Sequence, residues 1–455
     1  MSQLPENQNR GSFGNQFGII AATAGSAIGL GNIWRFPYIA GENGGGAFLL
    51  VYLGFVILIG IPVMISELSI GRATHRNPFG AFRLLKPKSK WYLIGLMGIA
   101  AAFMINAFYT VVAGWTLEYM FKSITNQFSG KNAEEINQLF TSFQDSSWRP
   151  LMWTLVFLAL TGSVVLAGVE KGIERYSKIL MPMLVVIIII LGIRAITLPN
   201  AAEGLKFLFK PDFSKIGASS ILVALGQAFF SLSIGMGTLI TYGSYIKKKE
   251  NIGSSAFIVA FADTLVAVLA GVAIFPAVFA FGISPASGPD LVFLTLPNIF
   301  AQMTGGYIFA MMFFFLLIVA ALTSTISILE VVVAYSVEEL KMKRSAATIW
   351  ASLGIGVLGI LCSLSLNKVP GLSLGNRNLF SILEDTSSNI LLPLGGFLIV
   401  IFVAWFFGKE KLRKELSSNG IYKIRYFNVY LIIIRFIAPI AIALVFMNGI
   451  GLIQF

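Results

Sequence analysis

Five ionisable side chains lie inside or at the edge of long apolar runs of this sequence: Arg35, Glu67, Asp263, Glu330 and Asp385. Charge in such surroundings is expensive, so each is a candidate for handling an ion or a proton. A second pattern is Ala320-Ala321-Leu322-Thr323-Ser324, where positions i, i+3 and i+4 share one helical face. That face offers one carbonyl and two hydroxyls, the oxygen ligands a hard cation takes. Hydroxyls in apolar helices also bond back to their own backbone, so the triplet alone leaves both readings open. Two glycine pairs, Gly29-Leu30-Gly31 and Gly235-Met236-Gly237, interrupt equally apolar runs and would bare main-chain N–H and C=O groups there. His75 is the only histidine and Cys362 the only cysteine, which excludes His-dependent triads, His/Cys metal clusters and an intrachain disulfide.

The chain that must position these groups has 455 residues, 56% hydrophobic and 12% charged, against about 25% charged in a typical soluble domain. Its mean hydropathy is +0.81. Eleven runs approach the roughly 20 residues that cross a bilayer core as a helix: 17–40, 46–70, 91–121, 150–167, 176–197, 217–245, 256–283, 307–339, 346–365, 378–408 and 427–453, numbered here as spans 1 to 11. A soluble enzyme or a nucleic-acid binder is excluded. The net charge of +12 has a different origin. With the N-terminus on the cytoplasmic side, 22 Lys and Arg fall in cytoplasmic segments and 8 in external ones, the bias that orients membrane proteins. The polar start, MSQLPENQNRGSFGNQ, lacks the layout of a cleaved signal peptide and reads as a cytoplasmic arm.

The organisation this predicts is an arm over 1–16, a core over 17–408 made of two halves (17–197 and 217–408), a basic cytoplasmic loop over 409–426, and an eleventh helix with an external C-terminus over 427–455. Spans 1 and 6 look broken. The run from Gly25 to Pro37 inserts three glycines, an Asn, an Arg and a Pro into span 1, and Gln227 to Gly237 does something similar in span 6. Glycine costs about 1 kcal/mol and proline about 3 inside a helix, and freed backbone groups at that depth need partners. Each break falls in the first span of a five-span half, and interrupted spans at corresponding positions point to a transporter with a midplane site between inverted repeats.

The string GSAIGLGNIWRFPYIAGENGGGAF (25–48), the run Phe229-Phe-Ser-Leu-Ser-Ile-Gly-Met-Gly237 and Ala320-Ala-Leu-Thr-Ser-Thr325 resemble the neurotransmitter:sodium symporter family, and its bacterial amino-acid transporters most. The resemblance runs from about residue 10 to about 408. It implies a first sodium site formed by Ala27, Asn32, Ser231, Asp263 and the substrate carboxylate, and a second formed by backbone carbonyls of Gly25, Ile28 and Ala320 with the hydroxyls of Thr323 and Ser324. A carboxylate shared between ion and substrate couples their binding reciprocally. The same resemblance assigns the substrate carboxylate to amides near Leu30 and Gly31 and to the Tyr109 phenol, and the amino group to carbonyls around Ala27, Phe230 and Ser231. It assigns the side-chain pocket to Gly29, Ile105, Ser233, Met236, Ser324 and Ile328. Apolar walls with an adaptable Met suit a large hydrophobic side chain.

Further implications concern charge and movement. Chloride-dependent members carry Asn at the position of Asp263 and tend to carry Ser one turn on, where this chain has Ala267; the expectation is two sodium ions and no chloride. An outer gate would pair Arg35 with Asp385, with Gln227 beside Arg35 and with Phe230 and Tyr109 as the lid. An inner gate would pair Arg10 with Glu338 near Tyr245, and Gly172 with Pro182 would weaken the start of span 5. Glu67 is expected to hold the bared backbone of span 6. The resulting expectation is an all-α membrane symporter, not an enzyme, that carries a neutral, hydrophobic or aromatic L-amino acid inward across the cell membrane with no nucleic-acid partner. A sodium-dependent sensor that occludes its ligand without transport, and a symporter for another small amine or amino acid, are the alternatives.

Overall fold

The computed structural model describes residues 11–285, 291–366, 369, 372–375 and 377–453. Nearly all of them are helical. Among the described residues nine helices are long and apolar enough to cross a membrane, and a bent pair, Gln16–Ala27 with Gly31–Glu42, forms a tenth. Those two halves of span 1 meet at 51°. Span 6 is also divided, into Ala218–Ser231 and Thr238–Gly243. The expected spans fall on these nine long helices, on the bent pair for span 1, and on two shorter helices for span 6.

The breaks have local causes. In span 6 the backbone takes positive φ at Ser233 (55°), Gly235 (87°) and Gly237 (78°), and only glycine occupies that region without steric cost. In span 1, Ile28 is extended (ψ 106°), and the chain restarts as a π-helical turn, Gly31–Arg35, of the kind that recurs at functional positions. The first half of span 1 lies against spans 5, 7 and 8, while the second half of span 6 lies against span 2. Spans 3 (Tyr92–Ile124) and 8 (Gly306–Glu338) pack most extensively on each other and carry the most buried surface.

The structure corrects several boundaries. Span 2 runs Gly46–Thr74 and span 7 Ile252–Ala280. Span 5 runs Val169–Ile196, seven residues earlier than the hydropathy indicates, because its first turns (Val169–Glu174) are π-helical and charged. Segments expected as plain loops hold short helices: Ala133–Gln144, where Asn132 and Glu135 form a reciprocal capping box, and Lys409–Leu416 in the basic loop. Both are too polar for a hydropathy reading, although the cap at Asn132 is a legible start signal.

Candidate functional site

The two breaks bring together the residues expected at the first ion site. Asn32 donates through Nδ2 to Asp263 Oδ1 (2.7 Å), to the Asp263 carbonyl (3.0 Å) and to Ser231 Oγ (3.1 Å). Ser231 in turn donates to Asp263 Oδ2 at 2.7 Å. Tyr52 of span 2, which no motif singles out, places its hydroxyl 3.4 Å from both Ser231 Oγ and Asp263 Oδ2. Asp263 is fully buried, and each of these side-chain partners is neutral. A buried carboxylate without a cationic partner is costly, so the cluster suits a small cation. Asn32 Oδ1 accepts from the Gly29 amide at 3.0 Å; to ligate a cation, the amide must rotate.

Span 8 meets the other side of the first break. Ser324 Oγ reaches across to the carbonyls of Ile28 (3.3 Å), Gly25 (3.5 Å) and Ser26 (3.5 Å). Thr323 bonds back within its own helix, to the carbonyls of Val319 and Ala320 at 3.1 Å. The helices are in close contact here: a Cβ on Gly25 would lie 3.3 Å from Thr323 Cβ. Gly25, Ile28, Ala320, Thr323 and Ser324 therefore converge, with three carbonyls and two hydroxyls between spans 1 and 8.

Between these clusters lie the groups expected to meet substrate. The Leu30 amide donates to Tyr109 Oη at 2.7 Å. Gly29 is required by space: a Cβ there would come within 2.4 Å of Ser324 Oγ and 2.6 Å of Tyr109 Oη. Ile105, Met236 and Ile328 are buried, and the Phe230 ring approaches Gly31, whose added Cβ would lie 3.1 Å away. Two assignments change. Ser233 does not offer its hydroxyl to a pocket but donates it to the Ser26 carbonyl (2.9 Å), tying one broken span to the other. The Phe230 carbonyl accepts from the Ser233 amide at 3.1 Å, so it is not a bare acceptor.

The outer gate differs from expectation. Arg35 and Asp385 are not paired; Asp385, 46% exposed, lies 3.4 Å from Arg377 and 3.3 Å from Asn389. The reason is local, since the pairing of Ser373–Leu374 with Arg377–Asn378 leaves Arg377 just before the helix Leu379–Asp385. Arg35 instead covers the Phe230 ring at 4.4 Å, with Tyr38 as a hydrogen-bond partner and Glu384 as the neighbouring carboxylate. Gln227 Nε2 donates to the Gly31 carbonyl at 2.9 Å rather than serving Arg35.

On the opposite side, Arg10 lies outside the described residues. Glu338 accepts from Asn77 through both its backbone amide (2.8 Å) and its side chain (2.9 Å). Tyr245 donates to Glu330 at 2.6 Å. Glu330, fully buried, also takes Arg344 at 2.6 Å, and Arg344 reaches the Val165 carbonyl at 2.9 and 3.0 Å. This four-way contact supplies Glu330 with the role its sequence position left blank. Phe13 packs edge-on against both Tyr242 and Tyr245. Glu67 accepts from the Gly235 amide at 2.8 Å, as expected of a carboxylate beside bared backbone. Gly172 sits in the π-helical start of span 5 and Pro182 inside its helix, which remains helical throughout.

The chain matches the profile of the sodium:neurotransmitter symporter family over residues 10–139 and 133–454. It is 41% identical over 441 residues, 97% of this chain and 98% of the relative, to the uncharacterized sodium-dependent transporter YhdH of Bacillus subtilis (strain 168). A sodium-dependent transporter of Haemophilus influenzae is 38% identical over 454 residues, 97% of this chain and 99% of the other. The crystal structure of MhsT in complex with L-phenylalanine superposes with a TM-score of 0.90 at 45% identity, covering 97% of this chain and all of that one. With a matching profile over nearly its whole length and relatives of this identity, the chain belongs to the sodium:neurotransmitter symporter family, whose members are transporters and not enzymes.

Proposed function

We propose that this protein couples the sodium gradient to inward transport of a neutral, large hydrophobic or aromatic L-amino acid, by alternating access and without chloride. The observation that carries this reading is the buried Asp263 carboxylate, held only by neutral groups and adjoining the broken backbone of span 1. A sodium ion there gains a full negative charge from the protein, so a chloride is not needed to offset it. The substrate carboxylate then completes the ion's shell beside the Leu30 amide and Tyr109, and each ligand raises the affinity for the other. A second sodium between spans 1 and 8 would brace the inner half of span 1, and its loss would release that half toward the cytoplasm. The substrate class is supported by the buried apolar side chains Ile105, Met236 and Ile328 and by the L-phenylalanine bound in the similar MhsT.

The test is competition of the twenty L-amino acids against radiolabelled L-phenylalanine on purified protein, in sodium and again in potassium, followed by uptake into vesicles. Binding confined to sodium, with Leu, Met, Phe, Tyr and Trp as the strong competitors, is expected. Accumulation of label inside the vesicles separates a carrier from a sensor. Sodium-independent binding, or no competitor among the twenty, overturns the reading.

A further inference from the structure

Two adjoining cavities open at the loop between spans 10 and 11, away from the ion and substrate residues. The first, about 480 Å³, lies between spans 2, 7 and 11 and is walled mainly by apolar side chains, including Ile57, Ile61, Phe257 and Val429. Ile57, Phe257 and Val429 are themselves well exposed on the bundle's outer surface, so this slot opens toward lipid. The second, about 680 Å³, is lined by Arg413, Lys414, Lys423 and Arg425, with Glu410 as the carboxylate among its lining residues. Tyr422, Lys423 and Ile424 line both. One molecule can occupy the two together.

The loop is anchored in a way that leaves these cations uncompensated. Arg72, buried at the end of span 2, pairs with Glu415 at 3.1 Å and also donates to Ser418 (3.2 Å) and to the Glu250 carbonyl. Lys248 closes on the other oxygen of Glu415 at 2.7 Å. Glu415 is thus fully engaged on the inner side of the loop. Among the described residues none of Arg413, Lys414, Lys423 and Arg425 has an ion-pair partner. Tyr430 holds span 11 against span 2 through Ser66 at 2.8 Å, which fixes the slot's width.

An apolar slot facing hydrocarbon, continuous with an uncompensated basic bowl on the side that the charge bias assigns to the cytoplasm, is complementary to an amphiphile with an anionic head. A free anion would use the bowl and leave the slot without a role. We propose that the paired cavity binds one anionic phospholipid of the cytoplasmic leaflet, with an acyl chain between spans 2, 7 and 11 and its phosphate against Lys423 and Arg425. Spans 2 and 7 carry Glu67 and Asp263, so the bound lipid braces the two helices that hold the broken span 6 and the candidate sodium site.

The test is retention of dioleoyl-phosphatidylglycerol on the full chain, counted by native mass spectrometry from micelles containing equal phosphatidylglycerol and phosphatidylcholine. The unaltered protein is expected to keep one phosphatidylglycerol in preference to phosphatidylcholine. Lys423→Gln with Arg425→Gln lowers that preference about thirtyfold, the size expected when two charges at the membrane surface are lost, whereas Lys423→Arg with Arg425→Lys keeps it. Ser254→Phe, which narrows the slot without altering charge, lowers retention as well. Lys86→Gln with Lys90→Gln, in a different basic loop, leaves it unchanged. Equal retention of the two lipids, an equal loss in the Lys86/Lys90 pair, or displacement of the lipid by 10 mM inorganic phosphate, roughly ten-thousandfold above a micromolar site, overturns the proposal. The second outcome indicates diffuse surface charge and the third a free-anion site.

Discussion

The carboxylate of Asp263 sets the first prediction, because in the proposed cycle it is the protein's own negative charge at the sodium cluster. Asp263→Asn keeps the hydrogen bonds to Asn32 and Ser231 within reach and removes the charge. Uptake in chloride-free medium is expected to fall at least tenfold, a change of about 1.4 kcal/mol, and to recover in part when chloride is added. Undiminished chloride-free uptake would show that the charge is dispensable. Gly29→Ala tests the substrate side, since its Cβ would overlap Ser324 Oγ and Tyr109 Oη. Overpacking of that kind costs roughly 1–3 kcal/mol, so substrate affinity is expected to drop about tenfold or more while the protein still folds and assembles in detergent. At this scale the sequence was legible where types and spacing carry the chemistry: Thr323 with Ser324, the glycine pairs, and the acids in apolar runs. It was silent on Tyr52, since a tyrosine in an apolar run has no distinctive spacing, and on Arg344 as the partner of Glu330. Pairings set by tertiary packing leave no local trace. The Arg35–Asp385 contact failed for the same reason, because Arg377, eight residues before Asp385, competes for it.

Among the elements, the starts and stops of polar helices were the least legible part, and the broken spans the most. Gly235 and Gly237 must break a helix wherever they take positive φ, and Glu67 supplies the acceptor that such a break requires. Span 5 offers a dynamic prediction. Pro182 removes a backbone donor within a continuous helix, a defect of about 3 kcal/mol, in the helix whose Met181 Sδ would lie 3.5 Å from a Cβ on Gly25, near the proposed second sodium site. Pro182→Ala restores the missing bond and is expected to slow uptake several-fold while leaving sodium-dependent equilibrium binding unchanged; equal effects on both would tie the proline to the site itself. Glu330 belongs to this scale too, because it joins the turn after span 6, span 8 and the start of span 9. Removing one partner of a buried pair costs at most about 3–5 kcal/mol, less here because the Arg344 side chain is 29% exposed. Glu330→Gln should therefore lower the melting temperature, and combining it with Arg344→Gln should cost less than the two losses added together.

The whole molecule follows from counting crossings and charges together. In the proposed topology eleven crossings would put residues 1 and 455 on opposite sides, and five crossings per half would turn the second half over relative to the first, as alternating access requires. The excess of Lys and Arg in alternate loops then chooses which side is which. This assignment rests on charge bias, so it can be tested apart from transport. Cys362 is the single cysteine and is buried, so a membrane-impermeant maleimide applied to intact cells should not reach it. Gly130→Cys, in the connection between spans 3 and 4, is expected to be labelled from outside. Ser417→Cys, in the loop between spans 10 and 11, is expected to be labelled only after the membrane is opened. The reverse pattern would invert the protein in the membrane and make the Lys423–Arg425 bowl external, while the sodium gradient would still set the direction of uptake.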